Sequence, residues 1–175
     1  QMDVGLDTGD MLEKIIVPLD KDETGGSLHD KLSVLGGDII LNVFEKIKNG
    51  TLTREKQDDE AATYCGKLDK TMGLLDFSKP VAQLERLIRG LNPWPCAYTS
   101  LDGKNLKLWK ADVVSFNELQ DVEHIDDSEY GTILKVTKDA IIVKALDGVL
   151  SIKELQLEGK KRAVLFRTAL WLPTV

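Results

Sequence analysis

The spacing of apolar positions changes character several times along the chain. Residues 11–17 form a short apolar run with β-branched Ile15, Ile16 and Val17, stopped by Pro18, and this predicts a strand. The pattern then turns helical. Gly26-Ser27 offers a cap, and Leu28, Leu32 and Leu35 fall on one face. Gly36-Gly37 interrupts that stripe, and Ile40, Val43, Phe44 and Ile47 resume it up to Asn49-Gly50, predicting a second helix. Residues 51–71 are mostly polar and read as a surface-crossing linker.

A new unit, 72–175, follows. Ser78 is the expected cap of its helix, with Pro80 in the first turn and Leu84, Leu87, Ile88 and Leu91 as the apolar stripe. Pro93 and Pro95 cannot continue a helix, so it ends before them. Strands are expected at 97–101, 106–114, 131–136, 140–146 and 149–157, with hairpin turns at Asp102-Gly103 and Asp147-Gly148. Several short strands after one helix predict a small barrel of the oligonucleotide-binding (OB) type, with a small β-sandwich as the alternative. The fold class is therefore α+β: one or two strands and two helices in 1–50, then an OB-like barrel with one leading helix.

Composition excludes several classes. No apolar run approaches the length of a membrane-spanning helix. The opening residues are acidic and glycine-containing, unlike a secretory leader. Cys65 and Cys96 fit no C-x-x-C spacing, so two free thiols in a reducing cytoplasm are expected. The net charge of −6 lies wholly in residues 1–70, which hold 9 Lys/Arg and 15 Asp/Glu. Residues 71–175 carry 14 of each, but six of the acids fall within 117–130, which leaves the remainder at +6. A basic surface is thus available in the second unit.

By composition alone, Asp3, Gly5, Asp7 and Gly9 make a turn-rich loop with solvated acids. Their order with later motifs adds more. Asp3-Val4-Gly5-Leu6-Asp7-Thr8-Gly9 is followed by Ser27-Leu28-His29-Asp30-Lys31-Leu32, Ala62-Thr63-Tyr64, Lys67-Leu68-Asp69-Lys70 and Arg89-Gly90-Leu91-Asn92-Pro93-Trp94-Pro95. From Gln1 to about Arg162 this order resembles the methionyl-tRNA formyltransferases, a branch of the folate-dependent formyltransferase family. The Leu-Asp-Thr-Gly loop is common to the wider family, and the Asn-Pro-Trp-Pro stretch is narrower.

The resemblance implies an α/β formyltransferase domain, of which residues 1–50 are the last part, then a linker and an OB-like barrel. It implies transfer of a formyl group from 10-formyltetrahydrofolate to the methionyl amine of initiator tRNA. Asp7 matches the family's catalytic Asp, a carboxylate able to orient a His and steady an imidazolium. The backbone of Asp3, Val4, Gly5 and Leu6 matches the loop that receives the pterin ring. The family's catalytic Asn and His belong to a motif upstream of Gln1, so 1–175 alone is expected to be inactive. His29 and His124 are expected to be solvated, with no metal-ligand spacing and no metal.

For tRNA the candidates are Lys67, Lys70, Arg86, Arg89, Lys104, Lys107, Lys110, Lys160, Lys161 and Arg162. Trp94 and Trp109 are candidate base-stacking residues, though for Trp94, between two prolines, packing in the core or at a hinge is the favoured expectation. Two departures stand out: Thr71 occupies a position where the family usually has Glu, and residues 163–175 are apolar where the family is polar. A strand and helices whose sheet partners lie elsewhere are expected to recruit another chain or the family's other half. The alternatives are a sugar-nucleotide formyltransferase, a formyltetrahydrofolate hydrolase relative, or an RNA-binding module without catalysis.

Overall fold

The computed structural model describes residues 1–119, 125 and 127–165. The chain divides into two compact units. The first comprises Gln1–Lys21 and Ser27–Lys67; the second comprises Asp22–Gly26 and the residues from Leu68 onward. The architecture is mixed: two α-helices and a six-stranded antiparallel sheet. Among the described residues no helix is long and apolar enough to cross a membrane.

In the first unit the expected strand at 11–17 is absent. Only Met11 pairs, through a two-bond bridge to Glu55 (2.8 and 2.9 Å), and Lys14 adds an ion pair to the Glu55 carboxylate. Ile15 and Ile16 remain exposed. β-branched residues favour a strand only where a neighbouring strand receives them, and the segment around Glu55 supplies a single residue of pairing.

The two expected helices are one, α1 (Gly25–Lys48). Gly36 and Gly37 lie inside it, both exposed. Two glycines cost roughly 1 kcal/mol each relative to alanine, less than the cost of nucleating a separate helix. The far end stops as expected. Gly50 takes φ 66°, Thr51 N–H donates to the Lys46 carbonyl and Gly50 N–H to that of Ile47, a glycine-terminated Schellman cap.

In the second unit the helix α2 (Val81–Gly90) begins after Pro80. Ser78 does not cap it, because its N–H and Oγ both donate to Asp76 (3.0 and 2.6 Å). The Val81 N–H is instead capped by the Asp147 carboxylate at 2.8 Å, from the turn expected to make a hairpin. The strands are β1 (Ala97–Leu101), β2 (Lys104–Val114), β3 (Ile133–Val136), β4 (Ile141–Lys144), β5 (Val149–Leu157) and β6 (Ala163–Val164). Their order is β1-β2-β5-β4-β3, with β6 beside β5.

Asp102 and Gly103 both take positive φ, 49° and 73°, the backbone of a tight hairpin joining β1 to β2. Leu84 and Ile88 of α2 pack on Leu108, Ile141, Val143, Leu150 and Ile152, so one face of the sheet and the α2 stripe form the main core. Ala140, Ile142 and Val149 form a second, smaller cluster with Phe116 and Leu134. That second cluster buries Ile142 where alternation would expose it, and Lys144, also buried, donates from Nζ to the carbonyls of Ile125 and Ser128. Among the described residues these strands make one antiparallel sheet, with β1 and β3 at the ends of the order.

Candidate functional site

The loop carrying Asp3, Val4, Gly5, Leu6 and Asp7 is exposed throughout. Asp3 accepts the Val4 N–H at 2.8 Å, and Asp7 sits at φ 57°, a left-handed position that Asp tolerates better than most residues. The loop is held from a distance. The Gln57 side-chain amide donates to the carbonyls of Asp7 (2.8 Å) and Gly9 (2.7 Å). By sequence Gln57 falls in the expected linker; a contact spanning this much sequence leaves no period to detect. The Asp7 carboxylate itself is left to solvent, so the turn presents an acceptor without burying it.

No group of three or more His, Cys, Asp or Glu side chains among the described residues is arranged to hold a metal. The His29 side chain is 80% exposed, with Nδ1 3.3 Å from Asp30. His124 lies outside the described residues, as do 166–175 of the apolar tail; Leu165 is buried in the main core.

The second cluster of candidates lies on the sheet face opposite the main core. In an antiparallel ladder, directly opposed residues share a face. The register sets Lys107 between Tyr98 of β1 and Gln156 of β5, and Lys110 opposite Glu154. Trp109 is the extra residue of a bulge between Leu108 and Lys110. The Arg162 guanidinium lies 4.5 Å above the Trp109 ring centroid and donates through Nε to Glu154 at 2.9 Å. The Trp109 indole N–H is buried with no acceptor among the described residues. Lys104, Lys160 and Lys161 are exposed at the adjoining turns. Sequence reading missed Tyr98 and Gln156, because their membership of this face depends on register.

Two candidates behave otherwise. Arg89 is committed: Nε and Nη2 grip Glu85 (2.7 and 3.3 Å), and Nη1 donates to the Glu23 carbonyl (2.8 Å). Its hydrogen bonds to Glu85 raise its pKa still further, so the charge is permanent but internally spent. Trp94, expected in the core or at a hinge, is not in the core: it is 56% exposed. Arg86, Lys67 and Lys70 are exposed, Lys67 in the first unit and Lys70 in the second.

Cys96 lies under this face at φ 74°, 2% exposed, with Sγ near the Leu108 carbonyl (3.6 Å). Burial pushes its thiol pKa up, and the nearby Lys107 and Arg162 charges only partly oppose that. A thiol reagent near pH 8 is therefore expected to label exposed Cys65 quickly and Cys96 only on unfolding. The sign for stability follows. A raised folded pKa contributes fully below the ordinary thiol value of about 8.5, and the contribution is lost as pH rises through the folded value. Equal labelling of both cysteines in the native chain would contradict this packing.

Residues 67–165 match the family described as "Formyl transferase, C-terminal domain". The chain is 47% identical over 163 residues to a methionyl-tRNA formyltransferase of Lachnospira eligens, covering 93% of this chain and 50% of that protein. It is 48% identical over 162 residues to one from Geobacter metallireducens, covering 93% and 49%. The chain thus spans about half the length of these curated relatives. Among solved structures it is similar to HypX from Aquifex aeolicus, with TM-score 0.65 and 15% identity, covering 95% of this chain and 28% of that one. It is also similar to WlaRD, a sugar 3N-formyl transferase, with TM-score 0.61 and 18% identity, covering 91% and 53%.

Proposed function

We propose, from the premise that this chain belongs to the formyltransferase family and carries its C-terminal domain, that it serves formylation of the methionyl amine on initiator tRNA, with 10-formyltetrahydrofolate as donor. The sustained identity to proteins named methionyl-tRNA formyltransferase is the observation that carries this reading. The likeness to a sugar formyltransferase is far lower in identity and speaks to the fold.

In this reading Asp7 is the carboxylate that holds the catalytic His and takes part in deprotonating the amine. The backbone of Asp3, Val4, Gly5 and Leu6 receives the pterin. Gln57 keeps that loop in place through its two carbonyl contacts. A solved structure of HypX in complex with tetrahydrofolic acid supports a folate in a similar fold. No metal is required, because the transfer needs only proton movement and an amine nucleophile.

The tRNA lies, in this reading, on the outward face bearing Lys107, Lys110 and Arg162, with Lys104, Lys160 and Lys161 at its rim. Lys70 and Arg86 of the same unit extend the set, and Lys67 of the first unit is a separate candidate. The cations neutralise phosphates, and the Arg162 guanidinium stacked on Trp109 gives a flat surface for a base. We read the sheet as an OB-like barrel, the domains as 1–50, 51–71 and 72–175, and the setting as the cytoplasm, where initiator tRNA is charged.

The test joins this chain to the half of the Lachnospira eligens relative that it does not cover. The fused protein is expected to formylate methionyl-tRNA, and residues 1–175 alone to give no turnover above the blank. A fused protein that formylates an amino-sugar nucleotide and not methionyl-tRNA would overturn the proposal.

A further inference from the structure

The motif from Arg89 to Pro95 has no task in the reaction proposed above. Its surroundings are specific. Arg89, in the last turn of α2, has a side chain only 26% exposed and donates Nη1–H to the carbonyl of Glu23, itself 7% exposed. Glu85 holds the other edge of the guanidinium. The Gly26 N–H donates to the Asn92 carbonyl at 2.8 Å. Gly25 passes so close that a Cβ there would lie 2.4 Å from the Gly90 carbonyl oxygen, and one on Gly26 would lie 2.8 Å from Cδ of Pro93. The Asn92 side-chain amide donates to the carbonyl of Trp109 at 3.0 Å, the bulged residue of the cationic face.

These contacts all belong to the second unit, which includes Asp22–Gly26. They satisfy one of the backbone donors that the start of an α-helix leaves open, and they admit only glycine at the tightest point. Two independent grips, one from a side chain and one from the backbone, act on residues Glu23 and Gly26. A third contact ties the same motif to β2.

We propose that Arg89, Asn92 and Pro93 form a clasp. They are positioning residues for formyl transfer that fix Glu23 and Gly26 against the Trp109 bulge within the second unit, and they do not contact RNA. The role in transfer rests on the formyltransferase reading. Arg89 acts through its planar fork. Glu85 and the Glu23 carbonyl are engaged from different sides of one rigid group, which a lysine ammonium cannot reproduce. A phosphate contact, by contrast, depends mainly on charge, which lysine keeps.

The discriminating variant is therefore Arg89→Lys. In the 175-residue chain, amide exchange at Gly26 is expected to quicken by about tenfold, the scale of one lost hydrogen bond to a charged group. Affinity for initiator tRNA is expected to stay within about twofold, with the same salt dependence. In the fused enzyme kcat is expected to fall by about tenfold, with KM for methionyl-tRNA nearly unchanged and Arg89→Ala no worse than Arg89→Lys. Unaltered exchange at Gly26 would overturn the clasp. So would tRNA binding that is lost with alanine and restored with lysine, which marks a phosphate contact. Faster exchange with unchanged kcat would reduce the clasp to a purely structural role and overturn the positioning claim. Should the unsubstituted fused enzyme fail to formylate methionyl-tRNA, the formyltransferase reading and the positioning role fall together. Exchange at Gly26 would still decide whether the clasp exists.

Discussion

Replacing Asp7 with asparagine in the fused enzyme is expected to lower formyl transfer by about two orders of magnitude or more, the scale of a positioned acid–base group. The substitution is chemically clean here. Asparagine accepts the left-handed backbone that Asp7 adopts at φ 57°, so the turn survives. Gln57 holds the loop through the carbonyls of Asp7 and Gly9, which the change does not touch. What is lost is the negative charge, and with it the ability to steady an imidazolium or accept a proton. Turnover and the pH profile are the measurements. A fall of less than about threefold would demote Asp7 to a turn residue.

The second large effect is expected in solution behaviour. Residues 1–175 are expected to self-associate through α1 at tens of micromolar, or to take up the relatives' other half when it is supplied. Helix α1 leaves several large apolar residues in water. Val43 is buried, while Ile40, Phe44 and Ile47 on one side and Val34 and Leu41 on another are about half exposed or more. Ile15, Ile16 and Leu19 of the same unit are exposed as well. Water contact at these apolar positions favours any partner that removes it. The double change Leu41→Lys and Phe44→Lys is expected to convert the associated species to a monomer without loss of helix, as read by sedimentation and circular dichroism. A monodisperse native chain that binds no apolar dye would refute the expectation.

The parts of the fold legible in the sequence were those governed by neighbours in the chain. Strands β1 and β5 fall at the bounds that apolar alternation suggests, and the Asp102-Gly103 turn takes the positive φ values its residues favour. The α2 stripe of Leu84 and Ile88 is buried as its spacing implies. The order of motifs also sufficed for the family. Local pattern misled where its outcome depended on a partner. Residues 11–17 have strand composition, but Met11 alone finds a pairing residue. Gly36-Gly37 has breaker composition, yet helical cooperativity carries α1 through it.

Sequence by itself thus determined periodicity, turn chemistry, charge balance and kinship. Tertiary structure decided which polar groups meet. Asp147 caps Val81 and Arg89 reaches Glu23, each across 66 residues, and Gln57 holds Asp7 across 50. It also decided that Tyr98, Lys107 and Gln156 share one face. The physical reason is that burial acts on every residue of a face and so imprints a repeat on the chain. A single hydrogen bond between distant groups is fixed by sheet register and close packing, and leaves no periodic trace in the amino-acid order.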